Sequence, residues 1–178
     1  ASSIVCSGNH LWTVETPSRK RVLGEKREGR RSVTVKTTDL QANDRIPVAP
    51  ALLNAEHILP VEPYTLGAWL GDGDNSWGRI TCGDSEVFEN IRRDGYSHKE
   101  DDKRTDCQCH TIYDLGAVLR DMGLLKNKHI PREYLIGSIT QRRALLQGLM
   151  DTDGHCNDRG TCIFVNKSKP LIDGVFEL

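Results

Sequence analysis

Two aspartates, Asp72 and Asp153, occupy matching places in two similar stretches. TLGAWLGDG at 65–73 and LQGLMDTDG at 146–154 are apolar, have glycine in third place and end on Asp-Gly. Small residues let helices approach closely, so we expect two helices to pack along Gly67 and Gly148 and to bring both aspartates together. Carboxylates at the negative ends of two helices repel one another unless a cation lies between them. The pattern predicts a Mg²⁺ site with both aspartates as ligands, which beside a DNA phosphate would be hydrolytic.

Simpler interpretations of these stretches exist. Both could be core helices that end in ordinary Asp-Gly turns, although two copies with the same spacing argue against this. An EF-hand loop needs Gly in sixth and Glu in twelfth place, where DTDGHCNDRGTC has Cys156 and Cys162. DGDNSWG fails in the same way, with Trp77 in sixth place. Gly73 and Gly154 follow the aspartates and are able to adopt the left-handed conformation that often ends a helix.

The composition is that of an ordinary soluble globular protein. The 178 residues are 37% hydrophobic and 28% charged, with a net charge of −1, which suits one large or two small domains. No apolar stretch approaches the roughly 18 residues of a membrane span, and ASSIVCSGNHLW lacks the layout of a signal peptide. We therefore expect a cytoplasmic protein.

The six cysteines are expected to be reduced, because the sequence shows no secretion signal. Cys107, Cys109 and His110 in CQCH also suggest zinc, but no CxxC or HxxxH supplies further ligands at the usual spacing. The alternation in CQCHTIY favours a strand with one buried face.

The pattern changes after about sixty residues. SIVCSGNHLWTVET and RRSVTVKTTDL are rich in β-branched residues and predict a β-rich domain over 1–61. Helical patterns begin after Val61, so a second domain covers 62–178 and the fold class is α+β. Predicted helices cover 64–72, 85–93, 114–125 with Asp114 as N-cap, 141–151 and 169–178; predicted strands cover 78–83, 107–113 and 161–166. This order predicts an internal repeat with an incomplete second copy.

LQGLMDTDG resembles the LAGLIDADG (DOD-type) signature of homing endonucleases, and TLGAWLGDG resembles the variant first copy of intein-encoded members. The resemblance implies an αββαββα-type endonuclease domain over 62–178, with its second half truncated. In that family two signature helices join pseudo-symmetric halves, and saddle-shaped sheets grip a long double-stranded DNA site through the major groove. The acids in eighth position bind Mg²⁺, which implies this role for Asp72 and Asp153. Leu70 departs from the signature at a position that binds no metal.

KHIP at 128–131 resembles the lysine followed by Ile-Pro of intein endonucleases. The resemblance implies that Lys128 is a catalytic lysine, whose charge would stabilise the negative charge that develops at the scissile phosphate. The alternative is a basic loop with a surface lysine.

CSGNHLWTV at 6–14 resembles block B of protein-splicing (Hint) domains, in which a Ser or Thr three residues before a His helps to polarise the N-terminal scissile peptide bond. The resemblance implies this role for Ser7 and His10. Trp12 is similar to inteins of replicative DNA helicases, which start from a downstream cysteine. The alternative is a strand with a core histidine. The resemblance also implies that the chain starts inside the splicing domain and stops inside the second endonuclease half, so we expect that it cannot splice as given.

Basic and polar residues could contact DNA, since Lys and Arg bind phosphates and polar side chains read bases in the major groove. A strand predicted at 75–81 alternates four side chains that we expect to face the groove: Asn75, Trp77, Arg79 and Thr81. A nearby loop carries three residues that could reach the DNA backbone: Lys99, Lys103 and Arg104. A further basic cluster lies at 17–36. The alternative is that such charged runs are solvated loops.

The expected function is Mg²⁺-dependent, site-specific hydrolysis of phosphodiester bonds by an intein-encoded homing endonuclease fused to a splicing domain. Its partners would be double-stranded DNA and host extein sequences of the replicative DNA helicase type. The protein would be a monomer with pseudo-two-fold halves and would not contact a membrane. The alternative is a catalytically inactive intein remnant or a DNA-binding module on the same scaffold.

Overall fold

The computed structural model describes residues 4–22, 25–48, 51–102 and 108–178. The chain divides into two units, Ala1–Pro50 and Ala51–Leu178. Helices and strands are both present, which confirms the predicted mixture of α and β structure. None of the helices in the described ranges is long and apolar enough to cross a membrane.

The first unit is an antiparallel ribbon. β1 (Leu11–Val22) pairs with β2 (Glu25–Lys36) in a register that sets Val14 opposite Val33. A 3-10 turn follows at Thr37–Asp39. Val14 is the one fully buried apolar residue among those described in this unit. The ribbon agrees with the β-rich pattern of this part of the sequence.

The second unit alternates helices and strands. Its first part contains α1 (Pro63–Asp72), β3 (Arg79–Cys82), α2 (Ser85–Arg93), β4 (His98–Asp102), β5 (Gln108–Ile112) and α3 (Leu115–Asp121). Its second part contains α4 (Arg132–Leu135), α5 (Ile139–Asp153), β6 (Gly154–Cys156), β7 (Cys162–Phe164) and α6 (Lys169–Glu177). The first three strands form an antiparallel sheet in the order β3-β5-β4, and β6 and β7 form a hairpin.

Helices α1 and α5 form the centre of the second unit. A Cβ atom on Gly67 would overlap the backbone of α5 at Leu145, and a Cβ on Gly148 would overlap the backbone of α1 at Tyr64. Only hydrogen fits where two backbones approach this closely. The structure therefore confirms the glycine seam that the two matching stretches predict.

The N-terminal ends of these helices are fixed by polar caps. α5 begins with a capping box, in which the Ser138 hydroxyl accepts from the backbone of Gln141 and the Gln141 side chain accepts from the backbone of Ser138. α1 has no cap from its preceding residue; the carboxylate of Asp94 accepts from the backbone N and the hydroxyl of Thr65, at 3.0 and 2.7 Å. Both caps satisfy N–H groups that a helix start leaves unpaired.

The segment before α1 packs with the second unit, so the division lies earlier than the predicted boundary at Val61. The side chain of Asn54 donates to the carbonyl of Ile136 at 2.7 Å. The side-chain amide of Gln141 bonds both the backbone N and O of His57, at 3.1 and 2.6 Å. Side chains thus satisfy the backbone of a segment without regular structure. The change of pattern at Val61 marks the start of a helix, not the start of the unit.

The strand predicted at 75–81 begins only at Arg79. The preceding residues form a turn, in which the carboxylate of Asp74 accepts from the backbone N of Ser76 at 2.7 Å. Asp side chains favour such turns over strands. The alternation of side chains at 75–81 continues through this turn, so the pattern predicted a strand that was too long.

The charged cluster that contains Lys99 was predicted as a loop, but its first part is strand β4. β4 pairs with β5 and sets Lys99 opposite Thr111 and Glu100 opposite His110. β4 lies at the edge of the sheet. Charged residues are common on edge strands, where they prevent pairing with other chains, so the charges concealed the strand.

Helix α3 is shorter than predicted, and Asp114 occupies its N-cap position without capping it through the side chain. Asp114 stands at the N-cap position but adopts a left-handed conformation with φ 63°, and its side chain makes no capping hydrogen bond. The helix ends at Asp121, and Gly123 with φ 67° then turns the chain.

Cys156 and Cys162 form a disulfide across the β6–β7 hairpin, with Cα atoms 4.1 Å apart. The prediction of reduced thiols is therefore wrong for this pair. Cys6, Cys82 and Cys109 are free. The antiparallel register sets the two bonded cysteines opposite one another, and this register depends on a turn that the cysteine spacing alone does not reveal.

Candidate functional site

The C-terminal ends of α1 and α5 bring Asp72 and Asp153 together. A Cβ atom on Gly71 would lie 3.6 Å from Cγ of Asp153 and would overlap the side chain of Thr152. The negative charge of Asp153 acts on the carboxyl group of Asp72. The two acids that lie far apart in the sequence therefore share one end of the helix pair.

The glycines after the two acids are extended, not left-handed. Gly73 has φ −74° and ψ 149°, and Gly154 has φ −99° and ψ 162°. Neither glycine uses its ability to adopt the left-handed conformation. A Cβ on Gly73 would overlap Trp69, and a Cβ on Gly154 would overlap Met150. Both positions need glycine for space, because the chain folds back tightly over the last helical turn.

The two halves repeat the same turn from helix to strand. After Asp72, Gly73 bridges to Ile80 of β3; after Asp153, Gly154 of β6 pairs with Phe164 of β7. Ile80 is buried, and Phe164 packs against the same core cluster. The internal repeat predicted from the sequence is therefore visible in the backbone around both acids.

Each acid accepts a hydrogen bond from a residue two places before the N-cap of the next helix, Cys82 at the end of β3 and Asn166 after β7. The Cys82 thiol donates to Asp72, and the Asn166 amide donates to Asp153 at 2.6 Å. Cys82 lies two residues before Asp84, the N-cap of α2, and Asn166 lies two residues before Ser168, the N-cap of α6. These bonds orient the two carboxylates from the outer sides of the pair.

Burial raises the pKa of Asp72, and the negative charge of Asp153 raises it further. The Cys82 hydrogen bond and the positive charge of Lys128 act in the opposite direction. A carboxylate that burial and a like charge both oppose is stabilised by any cation that enters the site.

Lys128 lies beneath the end of α1. Its ammonium group donates to the carbonyl oxygens of Trp69 and Gly73 at 2.8 and 2.7 Å, and approaches those of Leu70 and Gly71 at 3.1 and 3.3 Å. Nζ also lies 4.8 Å from the centre of the Trp69 ring. Burial lowers the pKa of Lys128 to about 8, while the charges of Asp153, Asp72 and Asp74 oppose this shift. Lys128 therefore neutralises the negative end of α1 and is charged at neutral pH.

The acid pair is a pair of carboxylates that could hold Mg²⁺. Mg²⁺ is held by one or two carboxylates and keeps several waters, whereas structural zinc takes four Cys, His or acidic ligands. The described part of the chain contains no cluster of three or more such side chains. The two carboxylates of Asp72 and Asp153 are the kind of ligand set that holds Mg²⁺. The charged form of Asp72 is disfavoured while no cation is bound.

One face of the sheet presents polar side chains. Burial alternates along β3, so Arg79 and Thr81 are exposed while Ile80 and Cys82 face the core. Across the sheet, Arg79 stands opposite Thr111, which stands opposite Lys99. Arg79, Thr81 and Lys99 therefore lie on the same outward face, as their predicted DNA contacts require.

Arg79 is already paired. Its Nε lies 3.4 Å from the carboxylate of Asp101 and donates to the hydroxyl of Thr111 at 3.3 Å. Thr111 donates in turn to Asp101. These contacts hold the Nε side of the guanidinium against Asp101 and Thr111.

The other predicted DNA contacts lie elsewhere. Trp77 is 58% exposed in the turn before β3, with the Arg79 guanidinium 5.9 Å from its ring centre. Asn75 lies in the same turn, and its carbonyl accepts from the backbone N of Lys126 at 2.7 Å. The structure does not place these two residues on the strand with Arg79. Lys103 and Arg104 lie outside the described residues.

The zinc alternative at CQCH finds no support among the described residues. His110 is buried, stacks on Phe88 and lies 2.7 Å from His98 between their Nδ1 atoms. Cys109 lies on the opposite face of β5, and Cys107 is outside the described residues. The strand with one buried face, predicted as the simpler interpretation, is confirmed.

In the first unit the predicted splicing residues surround one hydroxyl. Thr37 Oγ1 accepts from the Trp12 indole at 2.9 Å and donates to the carbonyl of Ser7 at 2.9 Å. His10 packs edge-on against Trp12, with ring centres 4.8 Å apart, and its carbonyl accepts from the backbone N of Thr37 at 2.9 Å. The loop that carries Ser7 and His10 is therefore tied to the end of β2.

Three residues at these sites were missed in the sequence: Cys82, Asn166 and Thr37. Each lies far in sequence from the residue that it orients. For Cys82 and Asn166 a signal was present, because each stands two places before a helix N-cap in its half of the repeat. For Thr37 the sequence offers no comparable signal.

Comparison with known proteins gives one informative match. No family model matches the chain. The chain is similar to a replicative DNA helicase, DnaB, of Mycobacterium intracellulare, with 36% identity over 194 aligned residues. The match covers 98% of this chain and 31% of the helicase. The predicted relationship to replicative DNA helicases is therefore confirmed at the level of sequence similarity.

Proposed function

We propose that the second unit is a LAGLIDADG endonuclease that hydrolyses double-stranded DNA with Mg²⁺, within an intein of a replicative DNA helicase. The observation that carries the proposal is the meeting of Asp72 and Asp153 at the ends of two helices joined by a glycine seam. The similarity to part of a replicative DNA helicase is consistent with an element that lies within such a protein.

The acids and their partners have distinct roles in this proposal. Asp72 and Asp153 hold Mg²⁺, which when bound supplies the Lewis-acid chemistry of phosphodiester hydrolysis. Cys82 and Asn166 orient the carboxylates. Lys128 offsets the two negative charges from beneath, where its hydrogen bonds to the carbonyl oxygens of α1 are already made. We therefore assign Lys128 to the support of the acid pair and not to direct contact with the phosphate.

The outward face of the sheet would contact the DNA. Arg79, Thr81 and Lys99 lie together on this face. Polar side chains on strands can read base edges in the major groove, and lysine binds phosphates. The pairing of Arg79 with Asp101 sets the direction in which the guanidinium can donate.

The first unit would take part in protein splicing. Ser7 and His10 would polarise the N-terminal scissile peptide bond, and Trp12 and Thr37 would hold their loop. The extein sequences of the host helicase would flank the intein.

The test is cleavage of a plasmid that carries the host helicase gene without the inserted segment. Asp153→Asn should abolish Mg²⁺-dependent nicking and linearisation, because it removes one charge from the acid pair and keeps an oxygen that can accept from Asn166. Asp151→Asn is the matched control, since Asp151 lies on the same helix but bonds the Tyr64 hydroxyl instead. It should cleave like the wild type.

Equal cleavage by the Asp153→Asn and wild-type proteins would contradict the assignment of the acid pair. An inactive DNA-binding module on the same scaffold would bind DNA with a strong salt dependence but would not cut it. An ordinary core repeat without a DNA role would show neither salt-dependent binding nor cleavage.

A further inference from the structure

A cavity of about 430 Å³ opens beside the acid pair. It is bounded by the end of α1, the turn before β3, the loop before α4 and the segment between β7 and α6. The polar and basic residues of its lining that matter here are Asn75, Lys126, Asn127, Lys128, Asn166 and Lys167.

The walls of the cavity are held by hydrogen bonds. The backbone N of Lys126 donates to the carbonyl of Asn75 at 2.7 Å, which joins two walls. Asn166 donates to Asp153 at 2.6 Å and accepts from the backbone N of Ser168 at 2.8 Å. The third wall is therefore connected directly to one of the two acids. The cavity and the acid pair keep a fixed relation to one another.

The charge in this cavity is positive. Lys126 and Lys167 are exposed, and neither forms an ion pair with an acidic residue in the described part of the chain. Lys128, by contrast, uses its donors on the carbonyl oxygens of α1. Lys169, two residues beyond Lys167, is paired with Asp173 at 2.5 Å. Lys126 and Lys167 are thus the cations of this cavity that can bind an external anion.

The backbone conformation at Lys126 fixes where this lysine stands in the cavity wall. Lys126 has φ 59°, a left-handed conformation that non-glycine residues rarely adopt. The carbonyl of Asn75 fixes its backbone N in this conformation. A lysine held this way presents its side chain from a defined point on the cavity wall.

The geometry points to a phosphodiester-binding site in this cavity, in which Lys126 and Lys167 bind one phosphate of the DNA backbone next to the acid pair. The inference rests on the proposed function, because it assigns a part of the same DNA-binding surface. The side-chain amides of Asn75 and Asn127 are further donors at the cavity wall. The site would fix the distance between the bound backbone and the two carboxylates.

The experiment is a salt titration of DNA binding without divalent cations, which separates binding from cleavage. Fluorescence anisotropy with a labelled duplex of the target gene would compare the wild type with Lys126→Asn, Lys167→Gln and the double variant. Asn suits position 126 because it tolerates positive φ. Lys169→Gln is the control, as an exposed lysine of the same segment outside the cavity. Thermal unfolding would verify that each variant folds.

In a plot of the logarithm of the binding constant against the logarithm of salt concentration, the slope of the double variant should be less steep than that of the wild type by about 0.9. This is the value for one phosphate contact on duplex DNA. Lys169→Gln should keep the wild-type slope. If the double variant keeps the slope while the wild type binds, the phosphate site is overturned and the proposed function stands. If the wild type shows no salt-dependent binding, both are overturned. Should the double variant fail to fold, the single variants decide, because each should weaken binding at fixed salt more than Lys169→Gln.

Discussion

The carboxyl group of Asp72 carries an electrostatic cost that the proposed function would explain. Burial and the charge of Asp153 both raise its pKa, so the ionised form is disfavoured in the folded state. Metal binding needs the ionised form. The acid pair therefore contains a repulsion that a cation bound there, as we propose, would relieve.

Asp72→Asn should raise the melting temperature at pH 7 without Mg²⁺. The pKa of Asp72 is higher in the folded than in the unfolded chain, so the cost of its charge is fully present above the folded pKa. That cost is lost as the pH falls below the unfolded value, about 3.9, so the gain from the substitution should fade toward acidic pH. Added Mg²⁺ should stabilise the wild type but not the variant.

Calorimetry or circular dichroism at several pH values would measure both effects. Asp121→Asn, an exposed change at the end of α3, is the control and should alter neither the melting temperature nor the response to Mg²⁺. A destabilised Asp72→Asn protein, or one that Mg²⁺ stabilises as strongly as the wild type, would contradict this account of the acid pair.

At the scale of elements, the packing of α1 on α5 decides where the acids lie. The backbones of α1 and α5 are in close contact at Gly67 and Gly148. If one helix slid along the other, the carboxylate of Asp72 would move relative to that of Asp153. Caps at both N-termini and the return of the chain at Gly73 and Gly154 fix each helix at its two ends. The helices thus act as rigid supports for the site.

Gly148→Ala should destabilise the protein by about 3 kcal/mol, the upper range for added atoms in a packed core. A Cβ there would overlap the Tyr64 carbonyl and the Ala68 backbone N, and backbone atoms inside a helix cannot move aside. Gln147→Ala changes the exposed residue directly before Gly148 in α5 and should alter stability by less than about 0.5 kcal/mol. Chemical denaturation would measure both variants; a similar midpoint for the two would show that the seam is looser than the geometry indicates.

At the scale of the whole molecule, two units carry two different sets of candidate residues. Ser7, His10 and Trp12 lie in the first unit, and the acid pair lies in the second. Each set is oriented by hydrogen bonds within its own unit. The proposed splicing and cleavage activities should therefore be separable.

In the full-length protein, His10→Ala should block splicing at the N-terminal junction and leave DNA cleavage unchanged. Asp153→Asn should have the opposite effect, since it removes a carboxylate from the second unit only. Denaturing gels would show the unspliced precursor, and plasmid linearisation would show cleavage. Normal splicing by His10→Ala would contradict the role proposed for the first unit, and loss of both activities in either variant would contradict their separation.

The sequence by itself determined the helices around both acids, the glycine seam and the meeting of Asp72 with Asp153. These features depend on local periodicity and on residue size, which a single stretch of sequence contains. The internal repeat was predicted for the same reason, because each copy carries its own helix and turn signals. The matching strand pairs after Asp72 and Asp153 show how far such signals extend.

Only the tertiary structure decided what surrounds the acids. The prediction of Lys128 as a catalytic lysine rests on KHIP, and the fold adds that its ammonium group lies on the carbonyl oxygens that end α1. Cys82 at the end of β3 and Asn166 in the segment after β7 bond the acids, and the disulfide depends on the register of a hairpin. The Lys128 contacts join residues 55 and 59 positions apart, and the disulfide depends on a turn, so no local pattern specifies them. The chain encodes them through the packing of whole elements, which brings each partner into place only when the second unit is folded.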